Sequence, residues 1–122
     1  MNNPVGWFEI YVQDMPRAKA FYEAVFDTTL SQLENPGLEM RAFPMDTSTF
    51  GASGALVRMP GFPSGANSVL VYFKCADCAL EADKAVKAGG LIQKPKMSIG
   101  PYGHIALVMD TEGNMLGLHS MQ

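Results

Sequence analysis

The chain of 122 residues is long enough for one compact domain and too short for two of ordinary size. Hydrophobic residues make up 48% of it and charged residues 17%, as in a soluble globular protein, and the net charge of −3 argues against nucleic acid as a partner, because phosphates require a basic face. The first residues, MNNPVGW, lack the basic and apolar regions of a secretory signal, and no stretch approaches the roughly 20 apolar residues that span a bilayer, so we expect a cytoplasmic protein with no membrane partner.

The first half of the chain predicts a strand, a helix and three further strands. Residues 7–12 are rich in aromatic and β-branched side chains, and Asp14 follows as a candidate N-cap with Pro16 in the first turn. Weaker patterns predict strands at 30–34, 40–44 and 55–59. Apolar residues at helical spacing predict a helix with one buried stripe, formed by Ala18, Phe21, Tyr22, Val25 and Phe26.

A segment rich in Pro, Gly, Ser and Asn, MPGFPSGANS at 59–68, predicts a linker to the second half. A strand at 69–75 follows, and Asp77 is again a candidate N-cap. Strands are then predicted at 91–94 and 104–109, and the turn DTEGN at 110–114 leads into a last strand at 114–120. The second helix ends at Gly89-Gly90, and its expected inward residues are Ala79, Leu80, Ala82 and Val86.

The two halves repeat one pattern. Asp77 lies 63 positions after Asp14, and the same shift aligns residues 53–59 with 116–122, which sets Gly54 against Gly117. We therefore predict an α+β protein of two βαβββ modules, at about 5–60 and 68–122. A four-stranded sheet cannot cover both of its own faces, so the modules must pack together, within one chain or across two.

Three stretches resemble the vicinal oxygen chelate superfamily, which contains glyoxalase I, bleomycin-resistance proteins, fosfomycin-resistance enzymes and extradiol dioxygenases. They are FEIYVQDMPRAKAFYEAVF at 8–26, VYFKCADCALEADKAVKAGG at 71–90 and GHIALVMDTEGNMLGLH at 103–119. The Phe21-Tyr22 pair and the D-x-x-G-N turn at 110–114 carry the match. The resemblance implies one domain whose two modules form a curved, cup-like mixed sheet around a small-molecule ligand, and it implies a homodimer.

The resemblance also implies where a metal ion would bind. The positions that hold ligands in metal-dependent relatives fall on Trp7, Leu70 and Gly117 in this sequence, and the repeat adds Gly54. None of these side chains can coordinate a divalent cation, which requires N, O or S donors. We therefore expect no metal and no other cofactor.

A displaced site is the alternative, because residues two apart in a strand share a face. Glu9, Tyr72 and His119 would then converge, with His104 from a neighbouring strand, around a divalent metal such as Zn, Ni, Mn or Fe. With or without that metal, Glu9 and His119 are the candidate catalytic residues. The candidate ligand-binding residues, for which core packing is the competing explanation, are Trp7, Tyr11, Phe43, Met45, Tyr72, Tyr102 and His104.

The only two cysteines, Cys75 and Cys78, form a CxxC pair across a strand end and a helix start. The helix dipole at that place can lower the pKa of the Cys78 thiol. A zinc site would need further ligands and a thioredoxin-like role a different fold context, so the alternative is two small, half-buried residues.

Three functions remain open from the sequence. The first is binding of a small organic molecule in a metal-free aromatic cleft, as in the bleomycin-resistance branch. The second is a lyase, isomerase or transferase similar to glyoxalase I, in the manner of lactoylglutathione lyase, working through Glu9 and His119. The third is a regulatory subunit whose partner supplies the chemistry.

Overall fold

The computed structural model describes residues 3, 5–67 and 69–122, and in it the chain forms two modules of the same design. Ser68, at the end of the predicted linker, lies outside the described residues. The first module consists of β1 (Trp7–Tyr11), α1 (Met15–Phe26), β2 (Ser31–Leu33), β3 (Glu39–Ala42) and β4 (Ser53–Arg58). The second consists of β5 (Tyr72–Lys74), α2 (Cys78–Lys87), β6 (Leu91–Ser98), β7 (His104–Met109) and β8 (Met115–Ser120), with a short 3-10 turn at Gly100–Tyr102 between β6 and β7. The predicted βαβββ repeat is confirmed.

Each module contributes one four-stranded mixed sheet. The strand orders are β1-β4-β3-β2 and β5-β8-β7-β6. The first strand of each module pairs in parallel with the last, and the other pairings are antiparallel. As a result β1 and β5 are edge strands, and the Phe8 and Phe73 rings, one from each, meet edge-to-face at 5.9 Å.

Both helices begin where the sequence predicts. The Asp14 side chain accepts a hydrogen bond from the backbone N–H of Arg17 at 3.1 Å, and Asp77 accepts one from Ala79 at 3.1 Å. These bonds satisfy N–H groups that have no partner inside the helix. Gly89 ends the second helix with a left-handed φ of 102°, which glycine adopts without strain.

The two helices lie on the same side of the molecule and enclose the main core with both sheets, and a smaller buried cluster of Met40, Ala55 and Val57 lies in the first sheet. The predicted stripe of α1 is buried there, with Phe26 packed at its edge. In α2 the buried residues are Cys78, Ala82 and Ala85, whereas Leu80 and Val86 are 57% and 48% exposed. The inward placement of Leu80 and Val86 was wrong because the helix turns its small residues, which allow close approach, towards the core.

The register of the last strands corrects the alignment of the two modules. Glu9 on β1 pairs with Ala55, as Tyr72 on β5 pairs with Gly117. Ala55 is therefore the counterpart of Gly117, and the prediction of Gly54 was wrong by one residue. Since a slip of one residue changes the face of a strand, Gly54 faces the helices.

The turn at 110–114 of the second module forms hydrogen bonds and an ion pair with the start of α1 in the first module. The buried Glu112 carboxylate accepts hydrogen bonds from the backbone N–H groups of Gln13 at 3.0 Å and Asp14 at 2.9 Å, and Arg17 binds its two oxygens at 2.6 and 3.1 Å. The negative charge is thus held at the start of α1, where the helix dipole stabilises it.

Asp110 and Asn114 extend this contact into the core. The Tyr22 hydroxyl donates to Asp110 at 2.7 Å, and the Asn114 amide donates to the carbonyl of Tyr11 at 2.9 Å while accepting from the N–H of Gly65 at 2.6 Å. The D-x-x-G-N turn and the FY pair, on which the resemblance rests, therefore have a structural role in the contact between the two modules.

Candidate functional site

The open face, which is the face of both sheets that the helices leave uncovered, carries the site. Ile10, Leu116 and Leu118 belong to the helix-side core, so strand alternation turns the odd-numbered residues of β1 and β8 to the opposite face. Parallel pairing with β8 brings two residues of β5 onto that face as well. The side chains of the open face near the joint of the modules are Trp7, Glu9, Tyr11, Tyr72, Lys74 and His119.

Glu9 is held in a fixed orientation on the open face. The Trp7 indole N–H donates to one carboxylate oxygen at 3.3 Å, and the Tyr11 hydroxyl donates to the other at 2.9 Å. The hydrogen bond to the Glu9 carboxylate raises the pKa of Tyr11, because loss of the phenol proton would leave two negative charges in contact. Tyr11 is in turn stacked on Phe62, with ring centroids 5.5 Å apart.

A cavity of about 880 Å³ opens between β1 and β5. Its walls are mainly apolar, and Glu9 and Lys74 supply its charged groups. A smaller cavity of about 170 Å³ adjoins it at Glu9 and extends to Asn67 and Asn114, and a third of about 510 Å³ lies beneath the loop at 44–53. The main lining residues of the large cavity are Val5, Trp7, Phe8, Phe43, Val69, Leu70, Val71, Tyr72 and Phe73.

The residues at the relatives' metal positions do not fit a metal ion. A side chain added at Gly117 would overlap the Tyr72 ring, which lies directly over this glycine. Trp7, Leu70 and Ala55, at the other three positions, provide no lone pair for a cation. Within residues 3, 5–67 and 69–122, no three His, Cys, Asp or Glu side chains cluster closely enough to hold a metal.

The predicted catalytic pair is not joined in the structure. Glu9 bonds to its neighbours on β1, whereas the His119 Nε2 atom lies 2.6 Å from the backbone oxygen of Tyr102. Since a carbonyl can only accept, Nε2 is the donor in this hydrogen bond. Tyr102 itself is 73% exposed and contributes its backbone here.

Two further predicted ligand-binding residues lie away from the open face. His104 pairs with Ser120, whose side chain bonds to the backbone N–H of Cys78 at the start of α2, so the pair faces the helices. Phe43 is only 9% exposed and packs against the rings of Phe8 and Tyr22, and it forms the inner wall of the large cavity. Met45 is 54% exposed in the loop above the third cavity.

The CxxC pair has the properties of packing residues. Both cysteines are free thiols, and Cys78 is fully buried. Burial raises the pKa of Cys75 to about 12, so its reactive thiolate is scarce near neutral pH.

The linker is the part of the site that sequence reasoning missed. Phe62 stacks on Tyr11, and Pro63, Gly65 and Asn67 line the smaller cavity. Asn67 also bonds to both backbone groups of Met115, which ties the linker to β8. Phe62, the lone aromatic residue of this Pro- and Gly-rich linker, was the signal in the sequence that could have indicated a role in the site.

Solved structures show which class of fold this is. A glyoxylase/bleomycin resistance protein/dioxygenase domain from Frankia sp. EAN1pec aligns over 100% of both chains, with a TM-score of 0.74 and 15% identity. A glyoxalase-related enzyme from Fulvimarina pelagi aligns over 98% of this chain and 88% of its own, with a TM-score of 0.69 and 16% identity. Glyoxalase I from Zea mays has a TM-score of 0.75 and 18% identity, and the present chain covers 46% of it. The TM-scores establish the glyoxalase-like fold, and at identities below 20% they show the fold alone.

The family follows from the sequence. The family model of the Glyoxalase/Bleomycin resistance protein/Dioxygenase superfamily matches residues 5–118, and the chain belongs to this superfamily. A comparison with curated proteins gave no match. In the described part of the chain no helix is long and apolar enough to cross a membrane, since α1 has 12 residues and α2 has 10.

Proposed function

We propose that this protein binds a small organic molecule between β1 and β5 without the help of a metal ion. The cavity of about 880 Å³ is the observation that carries the proposal. Its size and its mainly apolar walls are those of sites for small molecules, which combine apolar surface with a few placed polar groups. Glu9, oriented by Trp7 and Tyr11, is such a group.

The metal-free part of the proposal is supported by the side chains at the relatives' metal positions. Gly117 has no side chain, and the Tyr72 ring fills the space in which a ligand from this position would lie. The same ring forms part of the cavity wall. Aromatic surface at this position favours stacking on an organic molecule, which needs no ion.

Trp7 provides a direct test, because it is the only tryptophan of the chain and it lines the cavity. Candidate aromatic and aliphatic compounds are titrated against the protein in the presence of a chelator, and the Trp7 fluorescence is followed. We expect a saturable change with the same affinity with and without chelator, and weaker binding after Tyr72→Ala. Met121→Ala, at an exposed position after the last strand, is the matched control and should bind as the unmodified protein does. Binding that requires an added divalent ion would overturn the proposal.

We also propose a homodimer, as the resemblance implies. Apolar side chains exposed on the neighbouring elements α2 and β6 support it, namely Leu80, Val86, Leu91 and Ile92. Light scattering should give twice the chain mass of 13.2 kDa, and a mass of 13.2 kDa at micromolar concentration would refute it.

A further inference from the structure

We infer that the cavity between β1 and β5 selects a cationic ligand, whose protonated amine or quaternary ammonium group binds at Glu9. This inference rests on the proposed function, because it names the charge of the molecule that the same cavity takes. It is carried by three features of the cavity: an oriented carboxylate, aromatic rings that line the same space, and a small adjoining cavity that Glu9 lines and Lys74 does not.

The carboxylate is oriented but not neutralised. Trp7 and Tyr11 each donate one hydrogen bond to Glu9, and both donors are uncharged. A carboxylate offers about four lone-pair positions, and the donors found among the described residues use two of them. The ion pairs found among the described residues do not include Glu9. A negative charge with free acceptor positions therefore faces the ligand space.

Aromatic rings surround this charge. Trp7 lies on the same strand, and Tyr72 lines the cavity from β5 on the opposite side. The faces of such rings carry negative potential and attract ammonium groups. A cation at this place would interact with the carboxylate and the rings together, whereas an anion would be repelled by both.

Lys74 supplies a positive charge to the wall of the large cavity, but it does not line the small cavity beside Glu9. Glu9 belongs to both the large cavity and the small one that ends at Asn67 and Asn114. Lys74 belongs to the large cavity and the space beneath the loop at 44–53. A cation bound where the large cavity meets the small one would therefore lie beside Glu9, in a space that Lys74 does not line.

Three probes of matched shape test the inference by calorimetry: benzyltrimethylammonium, its neutral isostere neopentylbenzene, and the anion phenylacetate. We expect the cation to bind at least about tenfold more tightly than the neutral isostere, which is the scale of a cation–π contact combined with a partly exposed charge pair. Glu9→Gln should remove this preference, so that the cation and neopentylbenzene bind the variant with similar affinity. Lys74→Gln should tighten cation binding by about twofold, because it removes a like charge from the wall of the same cavity.

Glu9→Asp is the control for a variant that loses binding because it no longer folds. It keeps the carboxylate charge and should therefore keep the preference for the cation. Equal binding of the cation and the neutral isostere, with Trp7 fluorescence reporting both, would overturn the cationic selection while leaving the proposed function intact. Tighter binding of phenylacetate, lost in Lys74→Gln, would also overturn it. If none of the probes binds the unmodified protein, the inference fails together with the proposed function.

Discussion

Replacing Glu112 by Gln should weaken the contact between the two modules and lower the free energy of unfolding, because this buried carboxylate bonds the turn at 110–114 to the start of α1. Glutamine keeps the size of the side chain but removes its charge. It also turns an N–H₂ group towards donors that Glu112 now accepts from, namely Arg17 and the backbone N–H groups of Gln13 and Asp14. A donor facing a donor in a buried place leaves both without partners.

The pKa of Glu112 gives the size of the effect. Burial alone would raise this pKa, but the hydrogen bonds from Arg17, Asp14 and Gln13 lower it from 4.5 to about 2. At about 1.4 kcal/mol per pH unit, such a fall corresponds to about 3 kcal/mol. Because the Arg17 side chain is 52% exposed and screened by water, we expect a loss of about 2 kcal/mol in the free energy of unfolding at pH 7.

The sign of the pH dependence follows from the same values. A carboxylate whose pKa is lower in the folded state stabilises the fold above its unfolded pKa of about 4.5, and this contribution is lost as the pH falls from about 4.5 towards 2. In the Glu112→Gln variant that part of the pH dependence should vanish.

Urea unfolding between pH 7 and pH 3 measures both effects. Glu39→Gln is the matched control, because Glu39 forms a half-exposed pair with Arg58 at 3.6 Å and should change stability by about 0.5 kcal/mol or less. The reasoning is refuted if Glu112→Gln costs no more than Glu39→Gln at pH 7, or if it retains the acid sensitivity of the unmodified protein.

Three further predictions concern packing and reactivity. Tyr22→Phe leaves the buried Asp110 without its 2.7 Å hydrogen bond and should lower the free energy of unfolding by about 1–3 kcal/mol in urea titration; an unchanged midpoint would contradict this contact. Gly117→Ala places a methyl group where the Tyr72 ring now lies, and because this ring is 46% exposed it can turn aside, so the free energy of unfolding should fall by about 1 kcal/mol or less in the same assay; a loss of about 3 kcal/mol would contradict this freedom of the ring. The Cys75 thiol, with its pKa raised to about 12 by burial, should react with a disulfide reagent at pH 8 far more slowly in the folded than in the unfolded protein, and equal rates would disprove its burial.

The elements of the fold could be predicted because their causes are local. Asp14 and Asp77 form caps with N–H groups two or three residues away, and the apolar stripe of α1 follows from helical spacing alone. The strand at 69–75 was predicted too long, since the structure forms β5 only from Tyr72 to Lys74. The ends of β5 are set by its pairing with β8, which lies more than 40 residues later in the chain and cannot be read from local sequence.

The site could be predicted only in part, because faces depend on register. Alternation in β1 groups Trp7, Glu9 and Tyr11 correctly on one face, and their mutual hydrogen bonds follow from it. The face of Gly54 or His104 depends on a pairing between distant strands, and a shift of one residue reverses it. The stacking of Phe62, in the linker, on Tyr11 could not be predicted from local sequence, because the two residues are about 50 positions apart.

The central claim is that the cavity beside Glu9 holds an organic molecule and no metal ion. Native mass spectrometry of protein purified without chelator tests it in one measurement. We predict that the chain carries an organic adduct, released on unfolding and weakened by Tyr72→Ala, with no stoichiometric metal. One divalent ion per chain that is lost on Glu9→Gln or His119→Ala would contradict the claim.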